Sequence, residues 1–160
     1  MSYVYADFRV AVLRAAGGER QRVCIGCVAQ PDDRERCEYV SGGMWDAHHV
    51  LPKRLLKDRF PLGAALTWEE TPEGLGIWRP IVRDVEPDTP ATLTLDDLLM
   101  DPRNGVPVRR YHHDAIENRV IFPSVRALPK AARDFARELD LWHELERIYG
   151  QGRRRVRGWA

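Results

Sequence analysis

Four of the five histidines of this 160-residue chain stand in two adjacent pairs, His48-His49 and His112-His113. No other feature restricts the fold as much. The first pair falls in a β-type run, Met44 to Val50, and the second in a run of helical character from about Arg110 to Asn118. Between them Asp101-Pro102-Arg103-Asn104-Gly105 reads as a turn and Val106 to Val108 as a short strand. A strand, turn and helix that bring the pairs together can hold a metal ion and a base side by side, because imidazole suits divalent transition metals and takes up a proton near neutral pH. Each part also has a plainer reading. Adjacent histidines occur on surface strands, Asn-Gly is a common turn dipeptide, and His143 reads as a packing or surface residue of a C-terminal helix.

Elsewhere the pattern alternates between helix and short strand. Tyr5, Phe8, Val12 and Ala15 have helical spacing up to Gly17-Gly18. Cys24-Ile25-Gly26-Cys27 reads as a tight turn, Asp32 to Arg36 as loop, and Glu38 to Val40 with Met44 to Val50 as a hairpin around Ser41-Gly42-Gly43. Pro52 opens a basic helix through Lys53, Arg54, Leu55, Leu56 and Lys57. Ile77 to Val85 reads as extended, Glu86 to Pro90 as a linker, and Thr94-Leu95-Asp96-Asp97 as a capped helix start. Two helices follow Pro129, with apolar faces at Ala132, Phe135, Ala136 and Leu139 and then at Leu141, Leu145 and Ile148, and Gly150 ends the second. No internal repeat and no Rossmann or P-loop glycine pattern is present, so the expected class is α+β with more helix than strand.

At 44% apolar and 31% charged residues, the composition is that of a globular domain, and the length suits a single one spanning 1–160. The absence of a long apolar run excludes a membrane span, and with no export signal the three cysteines read as reduced thiols or metal ligands in a cytoplasm. Charge is unevenly spread. Residues 60–101 hold nine acids against Arg79 and Arg83, a net −7, while the rest carries +8 and ends in Arg153, Arg154, Arg155 and Arg157. A basic frame around an acidic insertion points to a polyanionic partner.

Three segments together resemble the HNH nuclease motif: Ala47-His48-His49-Val50-Leu51-Pro52, Asp101-Pro102-Arg103-Asn104-Gly105-Val106 and His112-His113-Asp114. The upstream C-x-x-C fits the family, and Leu128-Pro129, Phe135 to Leu139 and Leu145-Glu146-Arg147 resemble the tail of small bacteriophage and prophage members. The resemblance implies a ββα-metal (His-Me finger) core at 22–57 and 101–120, with an N-terminal helix, a long acidic insertion in the hairpin (60–100), two C-terminal helices (128–150) and a basic tail (151–160). It implies His49 as the general base and Asn104 as the residue that holds the loop and orients it. It further implies His48 and His113 as ligands of one catalytic divalent metal (Mg, Mn, Ni, Co or Zn), with Glu117 a further ligand or contact on the same helical face. His112 lies about 100° around the helix from His113, so both cannot face one ion.

The implied activity is metal-dependent hydrolysis of phosphodiester bonds in double-stranded DNA, with Lys53, Arg54, Arg109, Arg110 and Arg153, Arg154 and Arg155 contacting phosphate. An alternative is a non-catalytic nucleic-acid-binding protein or phage DNA-packaging accessory, near the terminase, on a worn HNH scaffold. Two departures from the family stand out. Arg109 and His112 occupy the positions of a second cysteine pair, so either Cys24, Cys27, Cys37 and His112 form a structural zinc site or the first pair is a relic. Asn104 also follows His49 by 55 positions, so the acidic segment must loop out, away from DNA or as a specificity or inhibitory element.

Overall fold

The computed structural model describes residues 3–60, 66–70, 72–74, 76–80, 93–118, 121 and 123–150. Among them are eight helices and two small antiparallel sheets, a mixed α+β architecture. None of these helices is long and apolar enough to cross a membrane.

The opening helix forms as its spacing predicts. α1 (Tyr5–Ala15) buries Phe8, Val12 and Leu13. The central sheet pairs β1 (Trp45–His49) with β4 (Gly105–Arg109), placing Trp45 opposite Arg109 and His49 opposite Gly105. Strand alternation turns Asp46 and His48 to one face and Ala47 and His49 to the other. α1 covers the second face, where Phe8, Val12 and Ala47 form a buried cluster. Gly105 is a residue of contact rather than of turn: a Cβ there would lie 2.2 Å from the Val12 Cγ2. β4 runs directly into α6 (Arg110–Glu117), whose side chains meet the Asp46 and His48 face.

The chain between the paired strands is long but structured. It holds α4 (Lys53–Arg59), a second ladder of β2 (Leu66–Glu70) and β3 (Gly76–Pro80), and α5 (Leu95–Met100). β2 was not foreseen. β3 realises the start of the extended run expected from Ile77, whereas residues 81–92, with the expected linker, lie outside the described residues. Trp68 of β2 meets Trp78 of β3 edge-on at 5.2 Å, and β3 contacts the first C-terminal helix. Thr94 caps α5 as predicted: its Oγ1 accepts from the Asp97 amide at 3.3 Å, and its own amide donates to Asp97 Oδ2 at 2.8 Å.

The segment before β1 departs from expectation. Residues 32–36 are not loop: a 3₁₀ turn, Pro31–Asp33, leads into α3 (Arg34–Ser41). Glu38 to Val40 is therefore helix, and the hairpin expected around Ser41-Gly42-Gly43 is absent. Gly42, at φ +56°, ends the helix and donates to the Glu38 carbonyl. Tyr39 and Val40 favour strands locally, but here they point to solvent while Cys37 and Ser41, four residues apart, share the buried face. Likewise Cys24 to Cys27 is not a tight turn but the entry to α2 (Ile25–Ala29).

At the C-terminus, α7 (Lys130–Glu138) and α8 (Trp142–Tyr149) bury Ala132, Phe135, Ala136, Leu145 and Tyr149 against the main core. Each fully buried Leu or Phe there stabilises the fold by about 1.5–3 kcal/mol.

Candidate metal centres

Two clusters of ligand-type side chains meet at α6. The first joins Cys24, Cys27 and Cys37 to His112, with one donor atom from each lying within 4.8 Å of all the others. α2 brings in Cys27, its preceding residue Cys24, and α3 Cys37. The His112 Nδ1 sits 3.7 Å from the Cys24 sulfur and 3.6 Å from that of Cys27. Its Nε2–H donates to Asp33 Oδ2 at 3.2 Å, which leaves the Nδ1 lone pair facing the thiols. Gly26 makes the approach possible, since a Cβ there would lie 2.2 Å from the His112 Cβ. Burial, followed by the neighbouring Cys24, pushes the Cys27 thiol up to about 12, and burial also raises Cys37. Sulfurs this crowded ionise together only around a cation. The Arg109 amide donates to the Cys24 sulfur at 3.2 Å. All three cysteines are free of disulfides. The donor set is compatible with a zinc ion.

The second cluster joins His48 of β1 to His113 and Glu117 of α6, again within 4.8 Å. Its hydrogen bonds assign the protons. The Tyr149 hydroxyl gives its only hydrogen to the Val50 carbonyl at 2.7 Å, so it accepts from His48 Nε2–H at 3.2 Å. His48 Nδ1, 3.0 Å from Glu117 Oε1, then carries a lone pair. His113 Nδ1–H donates to Asp46 Oδ2 at 3.2 Å, and its Nε2 faces the same Glu117 oxygen at 3.2 Å. With both rings neutral, three acceptor atoms thus converge, and the site calls for positive charge. Burial opposes a charged His113, but Glu117 and Asp46 outweigh it and raise its pKa. Without a cation, protons on the two rings supply that charge, and as N–H donors His113 and then His48 hold the Glu117 carboxyl far below the usual carboxylate range. Two imidazoles and a carboxylate fit a divalent transition metal.

His49 points to the other face of β1 and is not among these donors. Its ring stacks on Phe8, with centroids 3.9 Å apart and planes 7° from parallel, and burial lowers its pKa to about 4. Its Nε2–H donates to the Leu99 carbonyl at 3.3 Å, so Nδ1 is the acceptor in the neutral ring. His49 nevertheless lines, with His48, Lys53 and Glu117, a cleft of about 140 Å³ at the end of the strand. Asn104 is fully buried, and its side chain hydrogen-bonds the Leu51 backbone rather than either histidine. Its Oδ1 accepts from the Leu51 amide at 2.7 Å and its Nδ2 donates to the Leu51 carbonyl at 3.0 Å, clamping the chain just past His49.

The basic residues expected on DNA are placed differently from one another. Lys53 lies at the cleft with its ammonium 5.0 Å from the Tyr3 ring centre, and Arg54 is exposed. Arg110 is exposed and lies 3.6 Å from Asp46. Arg109 is turned inward, 4.5 Å from the Trp45 ring centre and 3.5 Å from Glu38, with only 20% of its side chain exposed. Arg153, Arg154 and Arg155 lie outside the described residues.

No protein-family model, curated protein or solved structure matches the chain. What the site can do must therefore come from its own chemistry. Two members of it went unnoticed in the sequence. Asp46 precedes His48 by two residues, so strand alternation alone places both on one face, a usable signal. Tyr149 lies 101 residues from His48, and no local pattern links them.

Proposed function

We propose that the protein is a divalent-metal-dependent nuclease that hydrolyses phosphodiester bonds in double-stranded DNA, with β1, β4 and α6 forming a ββα-metal core of the HNH kind. One observation carries this reading: His48, His113 and Glu117 bring three ligand atoms within 4.8 Å from strand and helix, and His49 lines the adjoining cleft. A cation held by those three would supply Lewis acidity and a template for phosphate oxygens.

The chain's own groups account for the rest. Neutral His49, its Nε2–H held by Leu99, offers Nδ1 to a water molecule in the cleft and takes its proton as the water attacks phosphorus, the bond from phosphorus to the sugar 3′-oxygen breaks, and that oxygen leaves with a proton from solvent. The Leu99 carbonyl then faces the imidazolium and stabilises it, while stacking on Phe8 fixes the ring plane. An anionic phosphate in the cleft raises the basicity of His49 from its low resting value, in the direction a base requires. Lys53 offers an ammonium to a phosphate oxygen at the same cleft. Asn104 acts as a positioning residue, through the Leu51 backbone. With a metal bound, the four-donor set of Cys24, Cys27, Cys37 and His112 would tie α2, α3 and α6 together.

Purified protein is expected to nick supercoiled plasmid with Mn²⁺ or Ni²⁺ and to stop in EDTA. His49→Ala is expected to lower the rate by about 10²–10⁴-fold with plasmid binding retained. Equal nicking by His49→Ala removes the base assignment, and no nicking by the parent with any of these metals overturns the reading.

A further inference from the structure

A cleft of about 780 Å³ beside α8 concentrates guanidinium groups that the proposed chemistry does not use. Arg126, from the 3₁₀ turn before α7, and Arg133 and Arg137 of α7 line it together with Trp142 and Glu146. Glu146 is the single carboxylate among the described lining residues, so three positive charges face one negative charge. Arg137 is partly offset by Asp134 at 3.3 Å and stacks on Trp142, its guanidinium carbon 4.1 Å from the ring centre. Stacking holds that donor fork in place. The Arg133 Nε is buried and has no hydrogen-bond partner among the described residues. An unmet buried donor costs about 1–3 kcal/mol, and more when charged, so this arginine of the lining has donor capacity that no described residue uses. Arg126 is exposed and likewise has no ion-pair partner among the described residues.

We propose that this cleft is a second anion site, one that grips a backbone phosphate of nucleic acid. The cleft's size and its forked donors suit phosphate oxygens, and α8 relates it to the histidine cluster. Trp142 and Glu146 of that helix line the arginine cleft, while Ile148 lines the histidine cleft and Tyr149 bonds His48. A helix with its side chains is about 10–12 Å across. At about 3.4 Å of rise per nucleotide, that is roughly three nucleotides along one strand. On that scale, a strand with one phosphate at the histidine cluster would pass the arginines a few nucleotides away. The position of the strand rests on the nuclease reading, whereas the anion chemistry of the cleft does not.

The test is binding of a fluorescein-labelled 20-base-pair duplex to the full chain without divalent metal, followed by anisotropy across a salt series. Arg126→Gln combined with Arg133→Gln is expected to bind at least about tenfold more weakly and to flatten the slope of log K against log salt by about 1–2. Arg14→Gln combined with Arg20→Gln, the same charge change on exposed residues elsewhere, is expected to stay within about threefold of the parent. Equal losses in the two double variants overturn the proposal. Should the first one melt early, Arg126→Gln alone, at an exposed position, is expected to flatten the slope by about 1, and an unchanged slope overturns it. Titration with inorganic pyrophosphate separates the sources of phosphate. If pyrophosphate binding is lost in the double variant and duplex binding is not, the cleft serves a free anion and the nucleic-acid assignment fails. The two proposals fail separately. A parent that nicks no plasmid but loses duplex affinity through Arg126 and Arg133 keeps the cleft and loses the nuclease. An active parent with unaltered duplex affinity in the double variant does the reverse.

Discussion

The two ligand clusters share one helix and differ in nearly everything else. His112 and His113 are neighbours on α6, about 100° apart, and each serves a different centre. The sulfur cluster is the more enclosed: Cys24 is 2% exposed, Cys27 9%, Cys37 0% and His112 1%, and its four protein donors are the number a tetrahedral zinc takes. The histidine cluster offers three donors, and its Glu117 side chain is 55% exposed beside a cleft. A filled shell stabilises a fold and does no chemistry, whereas an unfilled one leaves room for water or substrate. On the proposed nuclease reading, the difference also separates residues expected to matter for folding from those expected to matter for reaction.

The largest expected effect belongs to the enclosed cluster. Structural zinc contributes apparent binding energies of about 10–16 kcal/mol, so chelating it, or Cys37→Ser, is expected to abolish the cooperative melt followed by circular dichroism. His113→Ala is expected to shift the melt by only a few degrees. A Cys37→Ser protein that melts like its parent would break the comparison and reduce the thiols to ordinary core. Next come the ligands of the open cluster. His48→Ala or His113→Ala is expected to weaken Mn²⁺ binding, measured by calorimetry, by more than the roughly 10–100-fold that outer partners of a metal site carry, while one zinc per chain is retained. Loss of zinc in those variants would mean the two centres are not independent.

Asn104→Ala should fall between the two classes. It strands the buried Leu51 amide and carbonyl, each worth about 1–3 kcal/mol, so chemical denaturation is expected to show a loss of about 2–6 kcal/mol. A loss below about 1 kcal/mol would leave the strand end held by other contacts. Asp46→Asn comes after it. The His113 ring stays in place but loses the carboxylate that orients it, and Mn²⁺ affinity is expected to drop by about 10–100-fold with the melt little changed.

Where the pattern was local, the sequence spoke clearly. β1, α4, the Thr94 cap and both C-terminal helices follow from apolar spacing, proline and a capping pair. Glu117 was visible from its four-residue step after His113. What escaped was set by tertiary demand. α3 carries strand-loving Tyr39 and Val40 because the helical turn that buries Cys37 outweighs their preference. Gly26 and Gly105 read as turn residues, yet each is small because another element crosses it closely. The arginine cleft gathers Arg126, Arg133 and Arg137 from two elements whose spacing suggests only a basic surface.

The smallest expected effect is also the most specific to this chain. Tyr149→Phe removes one oxygen from the edge of the open cluster and leaves every ligand in place. Two consequences follow from its bonds. The buried Val50 carbonyl loses its donor, worth about 1 kcal/mol of stability. His48 loses the acceptor that holds its proton on Nε2, so the proton can move to Nδ1, toward Glu117, where a lone pair is wanted. Mn²⁺ affinity is expected to fall by a few-fold, less than for Asp46→Asn because a neutral hydroxyl orients an imidazole more weakly than a carboxylate does. Zinc content should not change, since no atom of Tyr149 belongs to the sulfur cluster. The imidazole nitrogen shifts of His48 in a ¹⁵N spectrum read the tautomer directly. An unchanged Nε2–H signature in Tyr149→Phe would reduce the tyrosine to packing and leave α8 with no part in preparing the metal ligand.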